Sequence, residues 1–493
     1  MTQISNILEK YKDSYLFINK DWHLRIEGGH GILFYYDPEW VIWHRLDQEQ
    51  ICALALMDGT RTIADICRIL NYILNEDRRN SIKGIICSLL KKSDGKENPS
   101  SYIHFSKDKM DRDGVPIYNL KEILQRMEET TKEDFIQITK DRLTAPISLV
   151  LMPSYNCTTD CIYCYSERAN IPVEEYMSLK RWLEIIDEAA DLNVQLAVFS
   201  GGDPLTYPHI LEILQRLIQR GFNFVLPTKT LVNKSTAKRM ADLGMNKVWI
   251  QVSLDGIYPE TLKQMVGVED YAKRAFQSIK NILTSGLKLR VHCVATPLNY
   301  KEIPCLMLEL YNIGVRKASI TGYGRSYYRH NDSLFLDKEH IDYLNKKIDE
   351  LKINLGRTDI SCSIGLRDFT NCSQEERKKE WVNRSSCSGG RSSITITPAG
   401  KVTLCEQIPL REEYIVGDLK HKSIADIWKS ERMLQMVYPP KELFKDSLCG
   451  TCQEYEDCHN IHGYCFRDSL FTYGTIYAPP PSCPYAPPGL RMM

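Results

Sequence analysis

Apolar and polar positions alternate in short runs near the start of the chain. Residues 23–27, 31–36 and 40–45 follow the two-residue period of strands, and Gly28-Gly29-His30-Gly31 and Asp37-Pro38 supply turns between them. Helical patterns follow at about 48–57, 62–75 and 79–92, where Thr62 precedes an apolar face of Ile63, Ile66, Ile69, Leu70 and Ile73. Three strands and then three helices predict a winged-helix-like domain over 1–95. Cys52, Cys67 and Cys87 fall inside the helical patterns and read as core residues, because free Cys packs as a small hydrophobe.

Residues 96–144 form a mostly polar connector, with a helical pattern near 120–128. From 145 to 330 the pattern alternates. Strand candidates at 147–152, 196–200, 223–227, 248–253, 288–295 and 317–321 are separated by amphipathic helical stretches such as 179–190 and 208–220. Repeated β–α units predict a parallel sheet with helices outside. Six units, rather than eight, predict an α/β fold built as a partial (β/α)6 TIM-like barrel, with its active site at the C-terminal ends of the strands. Residues 331–386 read as a charged, helical bridging region. From 387 to 493 short strands, turns, cysteines and prolines dominate.

Composition narrows the class. Hydrophobic residues make up 43% and charged residues 26% of the 493 positions, as in ordinary globular proteins. Lys plus Arg equals Asp plus Glu, 63 each, so net charge favours neither nucleic acid nor an anionic membrane as partner. The start lacks the apolar core of a signal peptide, and no apolar run nears the roughly 20 residues of a membrane span. A cytoplasmic protein is expected. Its 17 cysteines then argue for metal or cluster ligation rather than disulfides.

Three of those cysteines, Cys157, Cys161 and Cys164, follow the first strand of the alternating region as C-x3-C-x2-C. Three thiolates on one loop can hold three irons of a 4Fe–4S cube and leave the fourth iron open. A closed zinc site wants four ligands, and no fourth lies nearby. Tyr163 stands between the last two thiols and offers an aromatic face. This C-x3-C-x-aromatic-C loop resembles the signature of the radical S-adenosylmethionine (SAM) superfamily. The resemblance implies that the open iron chelates SAM, that one electron cleaves the sulfonium bond, and that a 5′-deoxyadenosyl radical takes a hydrogen atom from the substrate. Ser200-Gly201-Gly202-Asp203-Pro204 ends the second strand and is similar to that family's GGEP motif, with Asp203 in place of Glu. Ser253 and Asp255 end the fourth strand on the same side of an extended chain, where the resemblance implies contacts to ribose hydroxyls. Gly322-Tyr323-Gly324-Arg325 ends the sixth, and Arg325 is a candidate to hold the SAM carboxylate or an acid near the cluster.

The second array reads Cys387, Cys405, Cys449, Cys452, Cys458, Cys465 and Cys483. Pro398-Ala399-Gly400-Lys401 predicts a hairpin that brings Cys387 and Cys405 together. The array resembles the iron–sulfur SPASM domain, although that family ends its central run with C-x3-C and this chain has six residues between Cys458 and Cys465. The resemblance implies two auxiliary 4Fe–4S clusters, and so three in all. Cys387, Cys405 and Cys465 would hold the first, and Cys449, Cys452, Cys458 and Cys483 the second. Cys372 is a candidate fourth ligand to the first. Without it one iron stays open to a substrate thiolate. Glu406 follows Cys405, where the resemblance implies an acid that accepts a proton.

Residues 1–95 resemble the PqqD-like recognition domain of enzymes that process ribosomally made peptides, on the strand–turn–strand pattern, His44-Arg45-Leu46 and the run from Leu56 to Thr62. The resemblance implies that a precursor's leader adds a strand beside 39–45. The combined expectation is a peptide maturase with a flavodoxin or ferredoxin as reducing partner. Its expected product is a thioether, with C–C or C–O cross-linking or epimerisation as alternatives. A non-catalytic metal–peptide binding protein is the rival from another class.

Overall fold

The chain divides into two units, Met1–Thr144 and Ala145–Met493. The computed structural model describes residues 11–19, 21–27, 30–36, 41–73, 84–86, 89, 102–110, 118–128, 142–166, 175–356, 359–365, 372–384 and 386–487.

In the first unit β1 (Tyr15–Ile18) precedes an antiparallel meander of β2 (Trp22–Glu27), β3 (His30–Tyr36) and β4 (Val41–Leu46). These three strands lie within two residues of their expected bounds. Their connecting turns, with Gly28, Gly29, Asp37 and Pro38, fall outside the described residues. Asp47 caps α1 (Gln48–Ala55): its carboxylate accepts from the Gln50 amide, and the Gln50 side chain accepts from the Asp47 amide. After β5 (Asp58–Thr62), α2 (Ile63–Ile73) buries Ile63, Ile66 and Leu70 at the spacing read from the sequence. Cys52 is buried in this core and Cys67 packs against it. The helix expected at 79–92, Cys87 included, lies mostly outside the described residues, of which 84–86 and 89 are helical.

The expected connector contains structure of its own. β6 (Ile103–Ser106) pairs antiparallel with β1, which also pairs with β5, and α3 (Leu120–Glu128) contributes Ile123 to the same core. These segments therefore belong to the first unit, which ends at Thr144 rather than near 95. Four-residue strands such as β1 and β6, set among polar residues, carry too little alternation to be read.

The second unit is built on a ten-stranded, mostly parallel sheet. The six expected strands are all present: β7 (Ser148–Leu151), β8 (Leu196–Phe199), β9 (Asn223–Thr228), β10 (Trp249–Ser253), β11 (Lys288–Ala295) and β12 (Lys317–Gly322). They neighbour one another in chain order. Helices fill the connections, among them α4 (Leu179–Asp191), α5 (Ile210–Gln219), α6 (Lys234–Asp242), α7 (Pro259–Val266), α8 (Tyr271–Thr284), α9 (Ile303–Asn312) and α10 (Lys338–Leu355). α4 buries Trp182, Ile185, Ile186 and Ala189, and α5 buries Ile210, Ile213, Leu214 and Leu217. Each such Leu or Ile contributes about 1.5–3 kcal/mol when fully buried.

The sheet extends beyond the expected six strands at both edges. β13 (Asp359–Ser363) adds a parallel strand beside β12, so 331–386 is not wholly helical. Its sequence, DISCS, has one apolar side chain fully buried and reads as polar loop. At the other edge β14 (Ser393–Ile396) runs parallel to β7. It turns through the expected Pro398–Lys401 hairpin into β15 (Lys401–Thr403), which pairs with β16 (Gly417–Asp418). α11 (Gln374–Val382), α12 (Ile424–Trp428), α13 (Glu431–Val437), α14 (Leu448–Thr451) and α15 (Phe466–Tyr473) complete the unit. Among the described residues no helix is long and apolar enough to cross a membrane.

Candidate functional site

Parallel strands deliver their following loops to one edge of the sheet, and the candidate residues of the first motif group lie on those loops. The cysteine loop after β7 is held by its backbone. The amides of Gly202 and Asp203 donate to the carbonyls of Ser154 and Asn156 at 2.8 and 2.7 Å. On the other side the amides of Asp160 and Ile162 donate to the carbonyls of Val266 and Met265 at 2.8 and 2.9 Å. A Cβ on Gly202 would sit 2.3 Å from the Asn156 carbonyl oxygen, and Gly201 has a φ of +89°. Only glycine permits this approach. Cys161 is buried, and Cys157 and Cys164 are half-buried.

Asp203 is buried and its carboxylate is fully engaged. It accepts from the amides of Leu205, Lys229 and Thr230 at 3.0, 2.7 and 2.9 Å, and from Thr228 Oγ1 at 2.9 Å. It therefore fastens the end of β9 beneath the loop, and buried Pro204 opens the turn that follows. Asp255 is completely buried and meets Tyr163, whose hydroxyl donates to Asp255 Oδ2 at 2.5 Å. Lys229 Nζ donates to the same oxygen at 2.7 Å, and the Val294 amide donates to Oδ1 at 2.9 Å. Ser253 offers its carbonyl to the Tyr271 hydroxyl at 2.5 Å.

Lys229 was not singled out from the sequence, because a lone Lys after a strand has no motif. It lies 5.7 and 5.3 Å from the ring centres of Tyr163 and Tyr271. Burial opposes its charge, but Asp255, Tyr271 and Cys161 together outweigh burial and hold the ammonium above its ordinary pKa. Burial, then Asp255 and Cys161, push the Tyr163 phenol well up. Burial also lowers His292 to about 4, so its imidazole is neutral at pH 7, between Ser319 Oγ at 2.9 Å and Thr321 Oγ1 at 3.3 Å.

Arg325 is buried and forms an ion pair with Asp332 at 2.9 Å, stacked over Phe335. Arg329, four residues on, reaches the cysteine loop itself: its Nη1 donates to the Cys161 carbonyl at 3.1 Å and lies 2.7 Å from Asp160. Tyr165 directly follows Cys164; its hydroxyl is 3.0 Å from Ser200 Oγ, and 39% of the residue stays exposed. Glu406 follows β15, whose partner β14 pairs with β7, the strand before the first loop. Neither Arg329 nor Tyr165 stood out in the sequence.

The seven later cysteines form two groups. The Cys405 thiol is pushed well up by burial, then Glu406, with Cys387 and Cys465 contributing. Cys449 is pushed to about 12 by burial, then by Cys483, Cys458 and Cys452. Cys372 lies just before α11, whose Arg377 donates to the carbonyls of Pro481, Cys483 and Ala486. Between Cys458 and Cys465 the chain makes a π-helical turn, Asp457–His462, which takes up the unusual spacing. It buries His459 against Tyr455, Phe444 and Tyr464, with ring centres 4.1, 4.7 and 4.5 Å away.

Iron–sulfur clusters fit this donor set. Among the described residues no three Cys, His, Asp or Glu side chains gather closely enough for a single metal ion. A zinc with bonds of about 2.3 Å would draw its thiolates to roughly 3.8 Å of one another, whereas a cube of irons spreads them. Buried thiols that raise one another's pKa become thiolates only against cationic metal. His459 Nδ1, Arg377 Nε and Arg384 Nε are buried without a hydrogen-bond acceptor among the described residues. Such donors suit the sulfurs of an anionic cluster.

Residues 151–310 match the Radical SAM superfamily, and residues 387–459 match the SPASM iron–sulfur cluster-binding domain. The chain is 22% identical over 353 residues to the PqqA peptide cyclase of Granulibacter bethesdensis, covering 69% of this chain and 88% of the relative. It is also 22% identical over 347 residues to the AdoMet-dependent heme synthase of Methanosarcina barkeri, covering 67% and 94%. The crystal structure of Streptococcus suis SuiB bound to S-adenosylmethionine superimposes with a TM-score of 0.63 at 17% identity, covering 95% of this chain and 99% of SuiB. SuiB bound to the precursor peptide SuiA gives 0.61 at 16% identity, covering 94% and 98%. The likeness to SuiB is one of fold. The chain carries a radical SAM domain of α/β fold followed by a SPASM domain, and these imply SAM and iron–sulfur clusters as cofactors.

Proposed function

We propose that a chain with these two domains is a cytoplasmic radical SAM peptide maturase, which cross-links a ribosomally made precursor peptide with three 4Fe–4S clusters. The observation that carries the reading is the parallel pairing of β14 with β7, so that the hairpin leading to Cys405 and Glu406 grows from the same sheet as the strand leading to Cys157, Cys161 and Cys164. Reductive cleavage of SAM supplies the radical. The protein's part is to position and to exclude water. Cys157, Cys161 and Cys164 hold the first cluster on a partial barrel. Gly201, Gly202 and Pro204 shape the SAM-binding edge, while Asp203 fixes the backbone of 228–230. Ser253 and Tyr163 line the ribose side, while Asp255, buried and paired with Lys229, holds the Tyr163 hydroxyl rather than a ribose. Arg325 orients an acidic group, and Glu406 accepts the substrate proton.

The first unit, read as a winged-helix-like PqqD domain, binds the leader. β4 is the outer strand of its sheet among the described residues, and an added leader strand would pair beside it. Thioether formation follows if Cys387, Cys405 and Cys465 hold the first auxiliary cluster without Cys372, since one iron is then open to a substrate thiolate. C–C or C–O linkage and epimerisation are the alternatives. A flavodoxin or ferredoxin supplies the electron. The heme-synthase likeness favours a tetrapyrrole substrate as second reading. It leaves about a third of this chain unmatched, whereas the SuiB likeness spans 95%.

Anaerobic incubation with SAM, a reductant and the precursor peptide encoded nearby tests this. The expected products are 5′-deoxyadenosine and a peptide lighter by two hydrogens. Turnover of coproporphyrin with an unchanged peptide would overturn it.

A further inference from the structure

The two thiol groups of the array sit in different charge environments. Near Cys387, Cys405 and Cys465, cation and carboxylate balance. Arg467 Nε donates to fully buried Asp468 at 2.8 Å, and Glu406 adjoins Cys405. Arg391, the other guanidinium there, donates to the carbonyls of His459 and Asn460 at 2.6 and 3.2 Å.

The second group is different. Arg384 Nη2 lies 3.6 Å from Cys458 Sγ, and its guanidinium stacks 3.6 Å from the Trp381 ring centre. Buried Arg377 donates to the Cys483 carbonyl and to its neighbours. Among the described residues neither arginine forms an ion pair, and the Nε of each lacks an acceptor. His459, only 2% exposed, likewise leaves Nδ1 without one. The carboxylates nearby, Glu454, Glu456 and Asp457, are exposed to water, Glu454 accepts from the Tyr485 hydroxyl at 2.9 Å, and Lys441 Nζ adds a further cation on the Cys452 carbonyl at 2.9 Å.

We propose that Arg377, Arg384 and His459 hold the reduction potential of the cluster on Cys449, Cys452, Cys458 and Cys483 above that of the cluster on Cys387, Cys405 and Cys465. Reduction adds negative charge, so uncompensated cations and N–H donors stabilise the reduced form, and burial strengthens both. Glu406 and Asp468 cancel that advantage at the other group. An electron reaching the first group therefore passes to the second, oxidising the one and reducing the other. This ranking rests on the reading that the seven thiols hold two clusters.

The test is a redox titration followed by electron paramagnetic resonance. It uses the reconstituted full-length chain with Cys157, Cys161 and Cys164 changed to Ala, and C405A and C452A assign the signals. As the potential is lowered, the signal lost in C452A should appear first. R384M should lower that midpoint by about 59 mV or more, a tenfold change in the reduced-to-oxidised ratio for one electron. R384K should keep most of it, and E406Q should raise the other midpoint. The reverse order of reduction overturns the proposal, as does an unmoved midpoint in an R384M protein that retains its iron. If R384M loses the cluster, the order in the parent and the E406Q shift decide. Zinc without sulfide would overturn the two-cluster reading beneath it as well.

Discussion

Lys229 and Asp255 are 2.7 Å apart, and Asp255 has no exposed surface, so neither charge is solvated as it would be in water. Removing one partner strands the other, which costs about 3–5 kcal/mol for a buried pair. K229M should therefore lower the free energy of unfolding in urea by that order. K229M/D255N should lose clearly less than the sum of the single changes, because it leaves no buried charge. Additive losses would show that the pair is not coupled. His292 makes a second prediction. Its folded pKa of about 4 lies below the ordinary value of about 6.5. The unfolded chain then binds the extra proton, so this contribution is fully present above about pH 6.5 and is lost as pH falls toward about 4. Urea midpoints measured across that window should fall less steeply with acid in H292Q, which keeps an amide in place of the imidazole. An identical pH slope would show that the imidazole is not buried neutral. Neither residue was marked in the sequence. A lone Lys or His gains meaning only when strands far apart in the chain bring Asp255, Ser319 and Thr321 to it.

Elements were legible where their pattern was long enough to repeat. β2, β3 and β4 alternate over six or seven residues, and α4 and α5 repeat an apolar face, so each was placed from sequence. β1, β6 and β13 have four or five residues, and their pairing partners, not their composition, make them strands. The π-helical turn at 457–462 could not be read either, since it is a response to packing His459 among three aromatic rings. β4 carries the element-scale prediction. A leader that adds a strand here gains main-chain hydrogen bonds rather than ion pairs. Calorimetric binding of the leader peptide to the full-length chain should hold nearly constant between about 50 and about 500 mM salt, a range that shortens the screening length severalfold. A proline placed in the leader's pairing segment should abolish binding, because it removes a ladder donor. Affinity that collapses with salt and survives proline would locate recognition in charges instead.

At the scale of the molecule, the sequence showed both cysteine arrays by spacing, yet spacing alone did not divide seven thiols into sets of three and four. The SPASM resemblance does that, on a framework set by the sheet. β14 continues it beside β7, so the hairpin carrying Cys405 grows from the same framework as the SAM loop. Cys449, Cys452, Cys458 and Cys483 gather apart from it, with Arg377 of α11 and Arg384 just beyond that helix against them. This common framework has a consequence for metal loading. The first loop is tied by backbone bonds to Gly202, Asp203, Met265 and Val266, and the array by its own aromatic and arginine contacts. The sites should therefore fill independently. Reconstituted protein should hold near twelve irons, by the four-iron logic of Cys-ligated cubes, and changing Cys157, Cys161 and Cys164 to Ala should remove about four. G202A should imitate that loss, because its Cβ would displace the Asn156 carbonyl that positions the loop, while leaving about eight irons in the array. Iron and sulfide assays with parallel circular dichroism separate selective loss from unfolding. If G202A stays folded and keeps all its iron, the close approach of the two loops is not what shapes the first site.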